Sequence, residues 1–288
     1  MATSKFFSTK RIDDNTLMIY GLARENCYLV MGEQRALLID TLTGAGNLRA
    51  FVREITDLPV FVVNTHGHLD HAGGNFDFES CFIHPSDINM VFSGIKGDNR
   101  MSFVRNSVVE RGEKDFLAQE DFAPIKPLIT RPIYDGDVFD LGGRCIRTIA
   151  VPGHTQGSLV FLDEESGDCF IGDACNSNTL LLLDDSTSIE EYLEGLKHFE
   201  GFIGKVKNMY NGHEQRPIAP SALYEGIELC GEIIARTDDA IAVEFLGRTG
   251  LLAKKRSAGL VRADGKYMNI VYSEEKILRQ EKSCLIRW

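Results

Sequence analysis

The sequence lacks the cysteine spacing of a disulfide-linked or thiolate-metal protein. Its seven cysteines are scattered and odd in number, and none of them forms a C-x-x-C pair. A disulfide framework or a cysteine-ligated zinc site would show regular or closely paired spacing. The cysteines therefore indicate reduced thiols, as expected in a cytoplasm; they stand at positions 27, 81, 145, 169, 175, 230 and 284.

The chain also has no long hydrophobic run and no excess of positive charge. No apolar run approaches the roughly 18 residues that span a bilayer, and the N-terminal segment MATSKFFSTKRIDD lacks the apolar core of a signal peptide. The formal net charge is −11, whereas a nucleic-acid surface needs a concentration of Lys and Arg. We therefore predict a soluble, cytoplasmic protein without a membrane or nucleic-acid partner.

What the chain does contain is an alternation of short strands and helices. Its 288 residues are 43% hydrophobic and 25% charged, which suits one large globular domain. Apolar and β-branched segments between polar breaks predict strands, and apolar residues at helical spacing predict helices. Strands are predicted at 16–22, 27–32, 35–41, 59–65, 80–87 and 206–213, and helices at 47–55, 188–203 and 221–245, followed by a hairpin around Asp264-Gly265.

Residues 93–131 interrupt this pattern, because they mix Arg, Asp, Phe and Gly without strand alternation. We interpret them as an insertion with helical pieces that forms a lid or wall and contacts the substrate. A dimer contact or a padded surface is the alternative.

Four consecutive leucines, Leu180 to Leu183, allow two interpretations. They form either a strand buried on both faces or an apolar rim beside a cleft, since pockets use hydrophobic walls to bury the non-reacting part of a ligand. On the second interpretation the acidic pair Asp184-Asp185 lies further out and disfavours substrates with anionic tails.

Three histidines and an aspartate lie within six consecutive residues at the end of the predicted strand 59–65. They are His66, His68, Asp70 and His71, in the order H-x-H-x-D-H. Imidazoles and a carboxylate are the ligands that zinc prefers where water must stay within reach. The pattern therefore predicts most of a metal site.

Three further candidates each follow an apolar strand and a glycine: His154, Asp173 and His213. A lone histidine at a strand end is usually structural. Five of seven histidines at matching strand ends instead predict one shared site. The other two are interpreted differently, His84 as a turn residue before Pro85 and His198 as a surface residue of its helix.

These motifs resemble those of the metallo-β-lactamase-fold hydrolase superfamily. They stand as THGHLDH (65–71), GHTQGS (153–158), GD (172–173) and GH (212–213), in the expected order. The resemblance implies an α/β protein with a four-layer αββα sandwich and a two-metal site at one edge of the packed sheets. It implies a single domain over 1–288, with its core at about 16–215, the insertion at about 93–131, and a C-terminal helix and hairpin at about 216–288.

The resemblance also implies the ligand set and the cofactor. His66, His68 and His154 would bind the first ion, Asp70, His71 and His213 the second, and Asp173 would bridge the two. Two divalent ions about 3.5–4 Å apart would share a hydroxide. Zn²⁺ is the favoured ion, and Fe and Mn are the alternatives. Asp70 is the predicted catalytic residue, because it can hold the nucleophile or move its proton. Ser158 and Cys175 are interpreted as structural.

The predicted function is hydrolysis of a small ester, thioester or lactone. Three substrate classes are named because the fold does not choose among them. The alternative is a sulfur dioxygenase-like oxidoreductase with a single iron. A flavodiiron protein is disfavoured, because a Glu would be expected at the place of His68 and no flavodoxin domain is present. A phosphodiesterase or a nuclease such as ribonuclease Z is disfavoured by the net charge of −11. A purely binding role would require the loss of metal ligands, and none of the expected ligands is missing from the sequence. A homodimer is possible as a partner.

Overall fold

The computed structural model describes residues 4–95, 99–245, 247–257 and 261–280. The strands are β1 (Ser8–Asp13), β2 (Thr16–Tyr20), β3 (Asn26–Met31), β4 (Ala36–Ile39), β5 (Val60–Val63), β6 (Ser80–Ile83), β7 (Ile129–Pro132), β8 (Val138–Asp140), β9 (Cys145–Ala150), β10 (Leu159–Asp163), β11 (Asp168–Gly172), β12 (Thr179–Leu181), β13 (Asn208–Asn211), β14 (Ile241–Phe245), β15 (Arg248–Leu252) and β16 (Ile270–Tyr272). The α-helices are α1 (Leu48–Ile55), α2 (Leu69–Ala72), α3 (Ile88–Gly94), α4 (Arg100–Glu110), α5 (Ile189–Glu200) and α6 (Ser221–Ile234). None of the helices in the described ranges has the length and apolarity needed to span a bilayer.

The chain divides into two compact units. The first comprises Met1–Ala150, Gly157–Asp173 and Gly204–Pro220, and the second comprises Val151–Gln156, Ala174–Ile203 and Ser221–Trp288. The first unit contains a seven-stranded sheet, in the order β1 to β7, and a five-stranded sheet, in the order β13-β11-β10-β9-β8. The second unit contains a four-stranded sheet, in the order β12-β16-β15-β14, together with α5 and α6.

The two sheets of the first unit pack face to face. Leu37 of β4 and Phe161 of β10 belong to one buried apolar cluster, with Tyr28 of β3 and Phe170 of β11. The rings of Tyr28 and Phe170 lie 4.8 Å apart between centroids, which places the two sheets in direct contact. Burial of such large apolar side chains is the main stabilising contribution to this unit.

Helix α1 covers the other face of the seven-stranded sheet. Its apolar residues Leu48, Phe51 and Val52 are buried in a cluster with strand residues such as Leu29 and Leu38. The Asn47 side chain accepts a hydrogen bond from the backbone N–H of Ala50 and so caps the helix. The predicted helix at 47–55 is confirmed, and the first unit is layered as helix, sheet and sheet.

The insertion is helical, as predicted, and it packs within the first unit. Val104 and Val108 of α4 are fully buried in a cluster with Ala45, Leu117 and Phe122. The interpretation of this segment as a wall that contacts the substrate stays a prediction. Residues 96–98 lie outside the described residues.

The leucine run lies in the second unit and is partly in a strand. Leu180 and Leu181 lie in β12, which pairs with β16, and Leu182 is buried in a cluster with Leu252 and Val271. Leu181 and Leu182 are therefore buried, as the strand interpretation predicts, whereas Leu180 and Leu183 are only partly buried.

One member of the acidic pair beyond the leucines, Asp184, forms an ion pair with Arg248. Both guanidinium NH groups of Arg248 bind the Asp184 carboxylate, at 2.8 and 2.7 Å. The Lys276 ammonium also donates to the carbonyl oxygens of Asp184 and Ser186, at 3.0 and 2.8 Å. The expectation that the acidic pair disfavours substrates with anionic tails stays a prediction.

The C-terminal helix is present with a different end, and the hairpin in the described residues lies at a different place from the predicted one. The predicted helix 221–245 ends at Ile234, and 241–245 forms β14 instead. Arg236 and Ala240 have φ values of 57° and 47°, a left-handed conformation that stops a helix. β14 pairs with β15, whereas the residues around Gly265 form a turn between 262 and 265. Residues 259–260 of the predicted hairpin lie outside the described residues.

Candidate metal centre

The histidine cluster lies where β5 ends and α2 begins. β5 ends at Val63, whose side chain is in the core, and the chain turns before α2 starts at Leu69. The ring centroids of His66 and His71 are 4.1 Å apart, and those of His66 and His68 are 4.8 Å apart. The turn therefore brings the three imidazoles together, as the H-x-H-x-D-H spacing predicts.

Asp173 and His213 follow two strands that run in the same direction. β11 and β13 are parallel neighbours, so the residues that follow them emerge at the same edge of the sheet. A Cβ atom on Gly212 would lie 2.3 Å from Cε1 of His71. Glycine is therefore required at 212, because the backbone passes directly against the histidine cluster.

One carboxylate oxygen of Asp173 lies close to two imidazoles. Its Oδ1 is 3.6 Å from Nε2 of His71 and 3.3 Å from Nε2 of His213. Oδ2 of Asp70 approaches the same two nitrogens at 3.9 and 3.8 Å. Ligand atoms around a tetrahedral zinc ion are about 3.4 Å apart, since each lies about 2.0–2.2 Å from the ion. The four side chains thus have the spacing of ligands to a common centre.

Two groups of side chains in the first unit fit a metal ion. His66, His71 and Asp173 form one group and Asp70, His71 and His213 form the other, with ligand atoms within 4.8 Å of one another in each group. Nε2 of His71 is buried and has no hydrogen-bond partner among the described residues. A buried polar atom in that state is costly unless a ligand satisfies it. The donor set and this atom both suit a divalent cation.

The electrostatics of the site favour positive charge. Burial alone would lower the pKa of His71, but the charges of Asp40, Asp70 and Asp173 outweigh burial and raise this pKa to about 10. Burial would also lower the pKa of His213, but the charges of Asp173 and Asp70 raise this pKa to about 9. A metal ion that binds here therefore replaces protons in a site built to hold a cation.

Asp40 orients two of the histidines, although the sequence pattern did not single it out. Its Oδ2 lies 2.8 Å from Nδ1 of His71 and accepts from Oγ1 of Thr65 at 2.8 Å. Oγ1 of Thr65 is in turn 3.1 Å from Nδ1 of His66. The only signal for Asp40 in the sequence is an aspartate at the end of the apolar strand ALLID.

His154 belongs to the second unit, and its ring orientation is fixed there. The residue is 2% exposed, and its Nδ1 lies 3.0 Å from the carbonyl oxygen of Leu180. A carbonyl oxygen can only accept, so Nδ1 carries the proton and Nε2 is the nitrogen that suits a metal. Oγ of Ser186 donates to the carbonyl oxygen of His154 at 2.9 Å, which holds the backbone of this loop.

The residues that were interpreted as structural have structural positions. The N–H of Ser86 donates to Nδ1 of His84 at 3.3 Å, so His84 is a turn residue, and His198 is exposed on α5. Cys175 is a buried free thiol, and burial raises its pKa to about 12. A thiol with such a pKa is not a thiolate at neutral pH.

Comparison with known proteins shows the family to which the chain belongs. Residues 20–213 match the family model of the Metallo-beta-lactamase superfamily. The chain is 27% identical over 205 residues to the acyl-coenzyme A thioesterase MBLAC2 of Gallus gallus, with 66% of this chain and 72% of the relative covered. It is 28% identical over 183 residues to the hydroxyacylglutathione hydrolase of Hyphomonas neptunium, with 64% of this chain and 59% of the relative covered.

A solved structure supports the same fold. A metallo-beta-lactamase from Pontibacter korlensis superposes with a TM-score of 0.55 at 14% identity, with 77% of this chain and 97% of that chain covered. At this identity the likeness concerns the fold alone, and it confirms the predicted fold class.

Proposed function

The chain belongs to the metallo-beta-lactamase superfamily and is a metal-dependent hydrolase, and we propose that it uses two divalent ions to cleave a small thioester, ester or lactone. The observation that carries the proposal is the position of Asp173, whose carboxylate lies within 4.8 Å of a ring nitrogen of His66 and whose Oδ1 is 3.3 Å from Nε2 of His213. A carboxylate in that position is suited to bridge two ions.

The family resemblance suggests how the ligands divide between the two ions. His66, His68 and His154 would hold the first ion, and Asp70, His71 and His213 the second, with Asp173 shared between them. Imidazole and carboxylate ligands suit zinc, and iron or manganese would also accept them. When bound, two such ions would activate a water and polarise the bond to be cleaved.

Asp70 is the side chain proposed to handle the proton of the nucleophile. Its carboxylate is 18% exposed, whereas the ring of His71 is fully buried. Its Oδ2 is within 3.9 Å of two proposed ligand nitrogens, so one carboxylate faces both the metal position and the solvent. A carboxylate in this position can accept a proton from an attacking water and pass it on.

Substrate is proposed to enter from the side of His213. The His213 side chain is 37% exposed and that of Asp70 is 18% exposed, whereas the His71 side chain is fully buried. The printed names of the relatives, an acyl-coenzyme A thioesterase and a hydroxyacylglutathione hydrolase, favour a thioester as the first substrate class to test. Esters and lactones differ from it only in the leaving group.

The single-iron dioxygenase is the second candidate. Asp70, His71 and His213 form a second group of ligands beside His66, which favours a two-ion site. A site for one iron would leave that second group without a role. The net charge of −11 continues to disfavour a nuclease.

Metal analysis of purified protein, combined with a substrate panel, tests the proposal. We expect about two zinc ions per chain and turnover of at least one member of a panel of acyl thioesters, aryl esters and lactones. Removal of metal by a chelator should abolish turnover, and added Zn²⁺ should restore it. One iron per chain with oxygen consumption on a persulfide substrate would support the dioxygenase instead.

A further inference from the structure

Asp87 ties together two loops of the first unit. Its Oδ2 accepts from the backbone N–H of Gly67 at 3.0 Å, and its Oδ1 accepts from the backbone N–H of Gly157 at 2.9 Å. The residue is 0% exposed. Gly67 stands between His66 and His68, so one end of this buried carboxylate holds the peptide that joins two proposed ligands.

Both contacts depend on glycine. A Cβ atom on Gly67 would lie 2.7 Å from the carbonyl oxygen of Asp87, and a Cβ atom on Gly157 would lie 2.6 Å from its Oδ1. A side chain at either position would push the loop and Asp87 apart. The two backbone N–H groups can therefore reach the carboxylate only because neither residue has a side chain.

Helix capping does not account for the position of Asp87. The residue stands at the N-cap of α3, where an aspartate side chain usually accepts from the first N–H groups of the helix. Its side chain makes no such capping hydrogen bond. The carboxylate is directed to the loops of Gly67 and Gly157 instead.

A second contact holds the same loop on the other side of His66. The N–H of Leu159 donates to the carbonyl oxygen of Thr65 at 2.8 Å. Segment 65–67 is therefore fixed at Thr65 by the backbone of β10 and at Gly67 by Asp87. The backbone of His66 lies between two fixed points.

We propose that Asp87 is a positioning residue that pre-organises His66 and His68 for the first metal ion. Hydrogen bonds to an ionised carboxylate are stronger than neutral ones, and a loop ordered before binding does not lose that freedom when the ion arrives. The ion assigned to Asp70, His71 and His213 takes its ligands from α2 and from the loop after β13, so it depends much less on this tie. The inference rests on the proposed function.

The test is a cobalt titration of metal-free protein, followed by equilibrium dialysis and by the visible absorption of bound Co²⁺. Wild type should bind two ions. Asp87→Asn keeps the size of the side chain but removes the charge and one acceptor, so it should bind one ion with unchanged affinity and the other about 10–100-fold more weakly.

Two further variants make the readout specific. Asp77→Asn is the matched control, because it makes the same change at a buried carboxylate that accepts instead from the N–H of Leu48; it should titrate like wild type. His71→Ala removes a ligand of the other ion. The double variant Asp87→Asn/His71→Ala should therefore have no high-affinity site for Co²⁺.

Several results would overturn the inference. An Asp87→Asn titration identical to that of wild type, or equal weakening of both ions, would do so. If Asp87→Asn does not fold by circular dichroism, Gly157→Ala takes its place, because it displaces the carboxylate and keeps the charge; the same selective loss is expected, and two unchanged affinities would refute the role of Asp87. If the wild-type protein binds no divalent ion, the proposed function is contradicted and the inference about Asp87 fails with it. If the wild-type protein binds two ions, the role of Asp87 is judged from the difference between variant and wild type.

Discussion

Oδ2 of Asp40 lies 2.8 Å from Nδ1 of His71, and both side chains are buried. Because a carboxylate accepts, this contact places the ring proton on Nδ1 and directs Nε2 toward Asp70 and Asp173. Through Oγ1 of Thr65 the same carboxylate also reaches Nδ1 of His66. Asp40 therefore sets the orientation of one proposed ligand of each ion.

Replacing Asp40 should consequently weaken both ions together. In Asp40→Asn the amide cannot accept from His71 and Thr65 as the carboxylate does, and the negative charge beside His71 is lost. We expect metal affinity to fall about 10–100-fold at both positions, measured by the cobalt titration described above. Asp77→Asn serves again as the control. Loss at only one position would show that Asp40 does not act through both histidines.

His71→Ala should remove about one ion per chain. His71 offers Nε2 to the group that contains Asp70 and His213, so its loss leaves that ion without a central ligand. Activity should drop by orders of magnitude, because the proposed reaction needs both ions. Metal content is measured by elemental analysis after dialysis against metal-free buffer. An unchanged metal content would contradict the assignment of His71.

Asp70→Asn separates a catalytic role from a structural one. The substitution keeps size and shape but removes charge and basicity, so turnover should fall by about 10²–10⁴-fold while the fold is retained. A partly exposed side chain such as Asp70 contributes little to packing, so the melting temperature of the metal-free protein should change little. Full activity in a folded variant would remove Asp70 from the mechanism.

The local part of the site could be predicted from the sequence, and the long-range part could not. His66, His68, Asp70 and His71 are neighbours in the chain, and a strand end brings such neighbours to one place. Asp40 lies 31 residues from His71, and Asp87 lies 20 residues from Gly67. A single aspartate after an apolar strand is a common feature, so only the packed sheets show which aspartates face the histidines.

The helix bounds show the same division between local and tertiary information. The capping box of α5, in which Ser188 and Glu191 bond each other's backbone N–H, is a local S-x-x-E pattern visible in the sequence. The predicted extension of α6 to residue 245 was wrong, because 241–245 form a tight hairpin with β15 in which Phe245 pairs with Arg248. The sheet that this hairpin joins also contains β12 and β16, which are separated from it in the sequence, so the local pattern does not show that partner.

Asp77 should make stability depend on pH. Burial raises the pKa of this carboxyl from 3.8 to about 6, although its Oδ2 accepts from the N–H of Leu48 at 2.8 Å. Between these two pKa values the folded protein holds a proton that the unfolded chain has released. The contribution of Asp77 to the free energy of unfolding is therefore fully present below about pH 4 and is lost as pH rises through about 6. A shift of about two pKa units corresponds to about 3 kcal/mol at most.

Asp77→Asn should remove this dependence. The amide is neutral at every pH and keeps an oxygen that can accept from Leu48, so the variant should match wild type near pH 4 and exceed it by up to about 3 kcal/mol at pH 7. Urea unfolding of both metal-free proteins at intervals from pH 4 to pH 7 gives the difference directly, and titrations of other groups cancel in that difference. A gap between the two proteins that stays constant across this range would mean that Asp77 does not titrate with a raised pKa. A gap that grows toward acid pH would mean that the charged form is stabilised by the N-terminus of α1 more than burial opposes it.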